Sequence, residues 1–205
     1  MEAALSKKPA PPLVFLLVML PLLAACSGQA TPAPTPSGPQ VDAEEAAVYA
    51  ALVRDMFPAS MLVIMDTTAT DVSSATDLDQ TLQYVLKNMG SVEAGTVDSF
   101  KARNAAPAPL RADMDLGIPY TLFSQDQLNA MFNVNQDGWQ LFYARFPDAP
   151  GMLTFSHVGF NAAFDQALVY AGIQSQALAG AGHYVLLVKV NGTWTVDQKV
   201  MTWIS

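Results

Sequence analysis

The sequence predicts an α+β domain, in which N-terminal helices pack on a curved antiparallel sheet formed mainly by a C-terminal strand meander. Apolar residues recur at helical spacing within residues 43–146, whereas four β-prone runs follow Gly151. Asn191-Gly192 separates the last two runs and is a strong hairpin signal, typical of a type I′ turn. Because helices come first and strands last, we expect the helices to cover one face of the sheet.

Five helices are expected, each with a start or stop signal in the sequence. Acidic residues in the early turn of the first helix suit the helix dipole. The first helix follows Asp42 and ends before Pro58, the second runs from Asp77 to about Met89, and the third runs from Thr96 to a point before Pro107. The fourth starts at the Ser124/Gln127 capping box, and the fifth covers residues 138–146.

Six strands are expected, two short ones among the helices and four in the meander. The short strands are apolar and β-prone, which is typical of buried strands. The six strands cover residues 61–65, 120–123, 152–160, 166–173, 183–190 and 193–204.

The first 26 residues have the order of charge, apolar core and small residues that is typical of an export signal. Lys7 and Lys8 precede an apolar run of eleven residues, 13–23, which is too short to span a bilayer. The run ends in Leu23-Ala24-Ala25-Cys26, which resembles the bacterial lipobox, and Cys26 is the only cysteine. This resemblance implies cleavage before Cys26, diacylglycerol on its sulfur and a further acyl chain on the new amine.

These signals predict three regions: a cleaved signal peptide at 1–25, a lipidated cysteine with a Pro-rich tether at 26–41, and one globular domain at 42–205. Residues 27–41 contain four prolines and two glycines, which disfavour helix and sheet. As extended polyproline II they would span roughly 45 Å. In bacteria with two membranes, an aspartate directly after the lipidated cysteine favours retention at the inner membrane, whereas Ser27 permits transfer to the outer membrane. The expected location is therefore the cell membrane or the outer membrane, with the domain outside the cytoplasm.

Charge limits the expected partners. The chain carries a formal charge of −8, and removal of 1–25, which holds Glu2, Lys7 and Lys8, would leave −9. An acidic surface repels phosphate backbones, so nucleic acid is not an expected partner. It also gains nothing from anionic lipid, so the lipid membrane is expected to be reached through the acyl chains on Cys26.

A second set of sequence features lies in the C-terminal half, at 159–161, 167–170, 180–187, 191–194 and 203–205. Together these segments resemble an uncharacterised group of predicted bacterial lipoproteins. Such a resemblance implies no activity. The layout is also similar to nuclear-transport-factor-like and cystatin-like folds, an analogy that concerns architecture alone.

Three residues are weak candidates for catalysis: His157, His183 and Asp66. Ser156 and His157 are neighbours on an expected strand, so their side chains point to opposite faces and form no dyad. His183 lies at the mouth of an expected strand, after the Gly180-Ala181-Gly182 loop, where His157 or Asp66 could assist it as a base. No Gly-x-Ser-x-Gly or Ser-x-x-Lys motif occurs.

No metal or cofactor is expected. Residues 66–71 offer hard oxygen ligands for calcium but lack the glycine and glutamate of a calcium loop, so a solvated loop is expected there. The glycines at 180 and 182 are not followed by a helix, so they do not predict a phosphate site.

Three functions remain open at this point. The leading interpretation is a non-catalytic binding or interaction module in the envelope, which holds a small molecule or protein in a pocket or on a concave sheet face. The alternative is a small hydrolase or isomerase-like enzyme with His183 or His157 as its base. A third, a self-assembling structural protein, predicts a contiguous exposed apolar patch.

Overall fold

Five helices and seven strands make up the part of the chain described by a computed structural model, residues 38–70, 77–133 and 137–205. The helices are α1 Pro39–Met56, α2 Leu78–Asn88, α3 Ala94–Arg103, α4 Gln125–Met131 and α5 Gly138–Arg145. The strands are β1 Leu62–Met65, β2 Tyr120–Phe123, β3 Met152–Phe155, β4 Gly159–Phe160, β5 Gln166–Gln176, β6 Ala179–Val190 and β7 Thr193–Ile204.

Helix α1 begins three residues before the predicted boundary at Asp42. Pro39 occupies the first turn, where a missing backbone N–H costs nothing and the fixed φ suits a helix. Val41 in the same turn is buried, with 3% of its surface exposed. Residues 39–41 are therefore part of α1, which begins inside the segment predicted as a tether.

The other helix starts follow the sequence signals closely. The Asp77 side chain accepts a hydrogen bond from Asp79 N at the start of α2, and the Ser124/Gln127 capping box is formed at α4. Helix α3 differs, because its N-cap is Glu93 and Thr96 lies buried inside the helix.

The sheet confirms the α+β class but is mixed rather than wholly antiparallel. Its strand order is β2-β1-β3-β5-β6-β7, with β4 beside β5. Strand β1 pairs in parallel with β2 and β3, whereas the pairs from β3 to β7 are antiparallel. A parallel pair needs a crossover connection of about a dozen residues. Helices α2 and α3 lie between β1 and β2, and α4 and α5 lie between β2 and β3, so both crossovers are long enough.

Helices cover both faces of this sheet, which corrects the expectation of helices on one face. On one face, α1 packs on Ile64, Leu153 and Val169. On the other, α2 and α3 pack on Tyr170 and Tyr184, and α5 packs on strands β1 and β2. The open concave sheet face considered as a binding surface is therefore covered in the described part of the fold.

Several predicted strand boundaries change, and β5 extends three residues past the expected end at Ile173. The expected strand 152–160 is interrupted at 156–158, so β3 and β4 are separate. The expected Gly180-Ala181-Gly182 loop lies inside β6, where the Trp203 ring would be 2.9 Å from a Cβ at Gly180. These glycines therefore allow an aromatic ring to lie on the strand.

Asn191 and Gly192 form the predicted turn between β6 and β7. Both have positive φ, 51° and 79°, as a type I′ turn requires. None of the described helices combines the length and apolar character needed to cross a bilayer.

Candidate functional site

The three residues proposed as catalytic from the sequence lie apart, with no described contact between any two of them. His157 lies between β3 and β4 and contacts Glu45. His183 is inside β6, where burial and then the charge of Lys199 lower its pKa. Asp66 follows β1 and accepts a hydrogen bond from the Thr67 hydroxyl at 3.0 Å.

Ser156 and His157 lie in the interruption between β3 and β4, so the expectation that they are neighbours on a strand is wrong. The Ser156 hydroxyl donates to the backbone carbonyl of His157 at 2.9 Å and accepts from the backbone N–H of Tyr170 at 2.8 Å. It therefore serves to hold the interruption between β3 and β4.

The partner of His157 is the buried carboxylate of Glu45, which sequence reasoning did not identify. Its Oε1 lies 3.1 Å from His157 Nδ1 and 3.2 Å from an Arg103 guanidinium nitrogen, and it accepts a hydrogen bond from Val158 N at 2.8 Å. The side chains of Glu45, Arg103 and His157 are 7%, 11% and 19% exposed. The structure thus joins α1, α3 and the 156–158 segment through one carboxylate.

Electrostatics in this cluster favour the ionised form of Glu45. Burial alone would raise its pKa, but the hydrogen bond with His157 and the charge of Arg103 outweigh burial, so the pKa lies below its ordinary value. Tyr49 next to it is fully buried, and burial together with the Glu45 charge raises its pKa well above the ordinary value. The Tyr49 hydroxyl stays protonated and donates to Ser156 O at 2.7 Å.

Further hydrogen bonds fix the 156–158 segment. Arg103 donates to Val158 O at 2.6 Å, and the Asn104 amide both accepts from His157 N and donates to His157 O, each at 2.9 Å. A segment with this many fixed contacts is rigid, which suits a structural junction. The sequence signal for Glu45 is its position on the buried stripe of α1, one turn before Val48 and Tyr49 and two turns before Leu52.

A separate open groove of about 950 Å³ runs along the outer face of α1. Its floor is a helical stripe of small side chains: Ala43, Ala47 and Ala50. The segment 111–115 forms one wall, and the turn between β6 and β7 with Trp194 forms the other. We call this feature the α1 groove.

Charged side chains line the rims of the α1 groove, and most are paired. Lys189 Nζ lies 2.5 Å from Glu44 Oε1, and Trp194 Nε1 donates to Glu44 Oε2 at 2.7 Å. On the opposite rim, Arg111 contacts Asp42 at 3.0 Å and Asp113 at 2.8 Å. The rims are therefore preformed by ion pairs between different segments.

A smaller apolar pocket of about 360 Å³ continues from the α1 groove at the C-terminal end of α1. The two share Ala50 and Arg54. Apolar side chains dominate its lining, among them Phe57, Leu116 and Ile118. We call it the Phe57 pocket.

No cluster of three or more His, Cys, Asp or Glu side chains suited to a metal occurs among the described residues. Asp71, at the end of the segment considered for calcium, lies outside the described residues, as does Cys26.

The exposed large apolar side chains of the described chain are spread over several elements. They are Tyr84, Leu141, Leu178, Val190, Met201 and Ile204. Such a distribution gives little support to a self-assembling structural protein, which would present a contiguous patch.

Comparisons of this chain with protein families, with curated proteins and with solved structures find no significant match in any of the three.

Proposed function

We propose that this chain is an envelope lipoprotein, anchored to a membrane through acyl chains on Cys26, whose domain is a non-catalytic binding module. The observation that carries the binding role is the α1 groove, whose volume of about 950 Å³ lies within the range of ligand sites in proteins. The leader and its lipobox tetrad support the location.

The chemistry of the groove favours binding over catalysis. An enzyme needs titratable groups that converge on a reacting atom. In the α1 groove the carboxylate of Glu44 is already held by Lys189 and Trp194, and Asp42 and Asp113 are held by Arg111. Neither histidine is among the residues that line this groove.

The anchor is tested by mass spectrometry of the processed protein from membranes. We expect a chain that begins at Cys26 with a diacylglycerol thioether, and a Cys26→Ser variant that lacks the modification and leaves the membrane fraction. A wild-type chain with a free Cys26 thiol, or with residues 1–25 still attached, contradicts the anchor.

The groove is tested by photocrosslinking in the intact cell. A photoreactive amino acid at Ala47, on the groove floor, should capture a discrete envelope molecule. The same amino acid at Gln83, exposed on α2, is the control and should not capture it. Equal capture at both positions, or none at Ala47, argues against a binding role for the groove.

One observation favours the alternative of a small hydrolase or isomerase-like enzyme, with His157 rather than His183 as the base. The Glu45 carboxylate contacts Nδ1 of His157, and such a contact orients the ring of a general base. Turnover of ester substrates that is lost in His157→Gln, at unchanged stability, would support the enzyme. A His157→Gln variant that is only less stable would assign the pair a structural role.

A further inference from the structure

We propose that the α1 groove and the Phe57 pocket together bind the C-terminal end of a peptide. The terminal carboxylate would contact Arg54, and the last side chain, an apolar one, would fill the Phe57 pocket. This inference rests on the binding role proposed for the groove and names the ligand class.

Arg54 is the rim cation with donors still available. It lies in the last turn of α1, is exposed, and makes one described contact, from a guanidinium nitrogen to Trp194 O at 3.4 Å. Within the described chain no carboxylate pairs with it, whereas Lys189 and Arg111 are both paired. Its neighbour Asp55 is paired with Lys199. A guanidinium carries five donors in a planar fork that fits a carboxylate.

The Phe57 pocket explains why the last side chain should be apolar. Its lining includes Val53, Pro58 and Ile118, and Arg54 is its one charged lining residue. A ligand in this pocket therefore gains apolar burial while its negative group stays at the pocket mouth. Fully burying a Leu-sized side chain contributes about 1.5–3 kcal/mol.

The α1 groove explains why the rest of the ligand should be a peptide rather than a hydrocarbon chain. Its walls present the carboxylate of Asp115, whose one described contact accepts from Gly117 N at 3.1 Å, and the hydroxyl of Thr193, and these groups suit backbone N–H and C=O groups. The small floor residues allow a backbone to approach closely. From Pro39 to Arg54 the helix rises about 22 Å, the length of roughly six or seven extended residues.

The test uses fluorescein-labelled hexapeptides, five alanines followed by leucine, with either a free carboxylate or an amide at the C-terminus. The protein is residues 26–205 with Cys26→Ser, which keeps every described contact. Fluorescence anisotropy should show at least tenfold tighter binding of the acid, because a hydrogen bond to a charged group is typically worth a factor of ten or more.

Two variants assign the contacts. Arg54→Gln should lower the affinity of the acid at least tenfold and so remove the difference between acid and amide. Ile118→Ala should weaken the leucine-terminated acid several-fold and an alanine-terminated acid much less. Arg145→Gln, which removes a guanidinium outside the groove, is the control and should change neither affinity.

Several outcomes would overturn this inference. They are equal binding of acid and amide, an unchanged acid preference in Arg54→Gln, and tight binding of dodecanoate with no binding of the peptides. If the hexapeptides do not bind but Ala47 still captures an envelope molecule in cells, the peptide inference fails alone and the binding role of the groove stands.

Discussion

The Glu45 carboxylate is stable in the core only because its neighbours compensate its charge. Glu45→Gln would leave the Arg103 guanidinium buried without its counter-charge. Removing one partner of a buried ion pair typically costs about 3–5 kcal/mol. We expect a loss of that size in the free energy of unfolding at pH 7, measured by urea denaturation.

The effect of Glu45→Gln should depend on pH in a defined direction. Because the folded protein lowers the pKa of Glu45, its stabilisation is fully present above the ordinary value of 4.5 and is lost as pH falls through the lower, folded value. The stability gap between wild type and variant should therefore close in acid. Asp79→Asn, which breaks the exposed pair with Lys101, is the control and should lower stability far less than Glu45→Gln at pH 7. A gap that widens in acid would contradict the assigned sign.

At the scale of single residues, the sequence identifies titratable side chains better than it identifies the side chains that they contact. His157 could be singled out as a titratable group on the expected strand 152–160. Its contact with Glu45 joins residues 112 positions apart, and nothing local in a sequence encodes such a distance. The sequence does not single out Arg54 for the same reason, because the walls that face it come from segments 111–118 and 192–194, more than 50 residues away along the chain.

Strand β4 and helix α3 are in unusually close contact at Gly159. A Cβ at this position would lie 2.5 Å from Phe100 Cα, a backbone atom that cannot move aside alone. Gly159→Ala should push α3 from the sheet and cost about 1–3 kcal/mol, the typical penalty of overpacking. Thermal unfolding followed by circular dichroism measures this loss.

Gly95 in α3 provides a matched control for Gly159. A Cβ at Gly95 meets nothing within 4 Å, so Gly95→Ala should be neutral or raise stability by about 0.5–1 kcal/mol. If Gly159→Ala were as benign as Gly95→Ala, the close packing of α3 on β4 would be disproved.

Local chemistry explains which elements were predictable. Caps and turns use side chains within three residues of the backbone they bind, so Asp77, Ser124 and the Asn191-Gly192 turn were correct. The parallel pairing of β1 with β2 and β3 was not predicted, because it depends on crossovers of many residues.

At the scale of the whole domain, helices pack on both faces of the sheet in the described residues, and the sequence does contain a sign of this. Ala167-Leu168-Val169-Tyr170-Ala171 in β5 is apolar without alternation, and all five residues are fully buried. Such continuous runs are typical of strands covered on both sides. The expectation of one covered face came from the order of helices and strands along the chain, which takes no account of this run.

The extent of the domain gives a prediction for the molecule as a whole. The sequence placed the boundary at Asp42, whereas α1 begins at Pro39 and buries Val41. A chain of residues 42–205 loses that apolar burial and the first helical turn, so it should be less stable than residues 38–205 by about 1.5–3 kcal/mol. Urea unfolding of the two chains at pH 7 measures this difference.

Residues 26–205 with Cys26→Ser provide the reference for this comparison. All described core residues lie at or after Val41, so residues 38–205 should match the reference within about 0.5 kcal/mol. Equal stability of 42–205 and 38–205 would mean that Pro39–Val41 contribute nothing and that the sequence boundary is adequate. A loss already present in 38–205 would instead show that residues before Gly38 stabilise the domain, and the proposed role of residues 27–37 as a simple tether would be wrong.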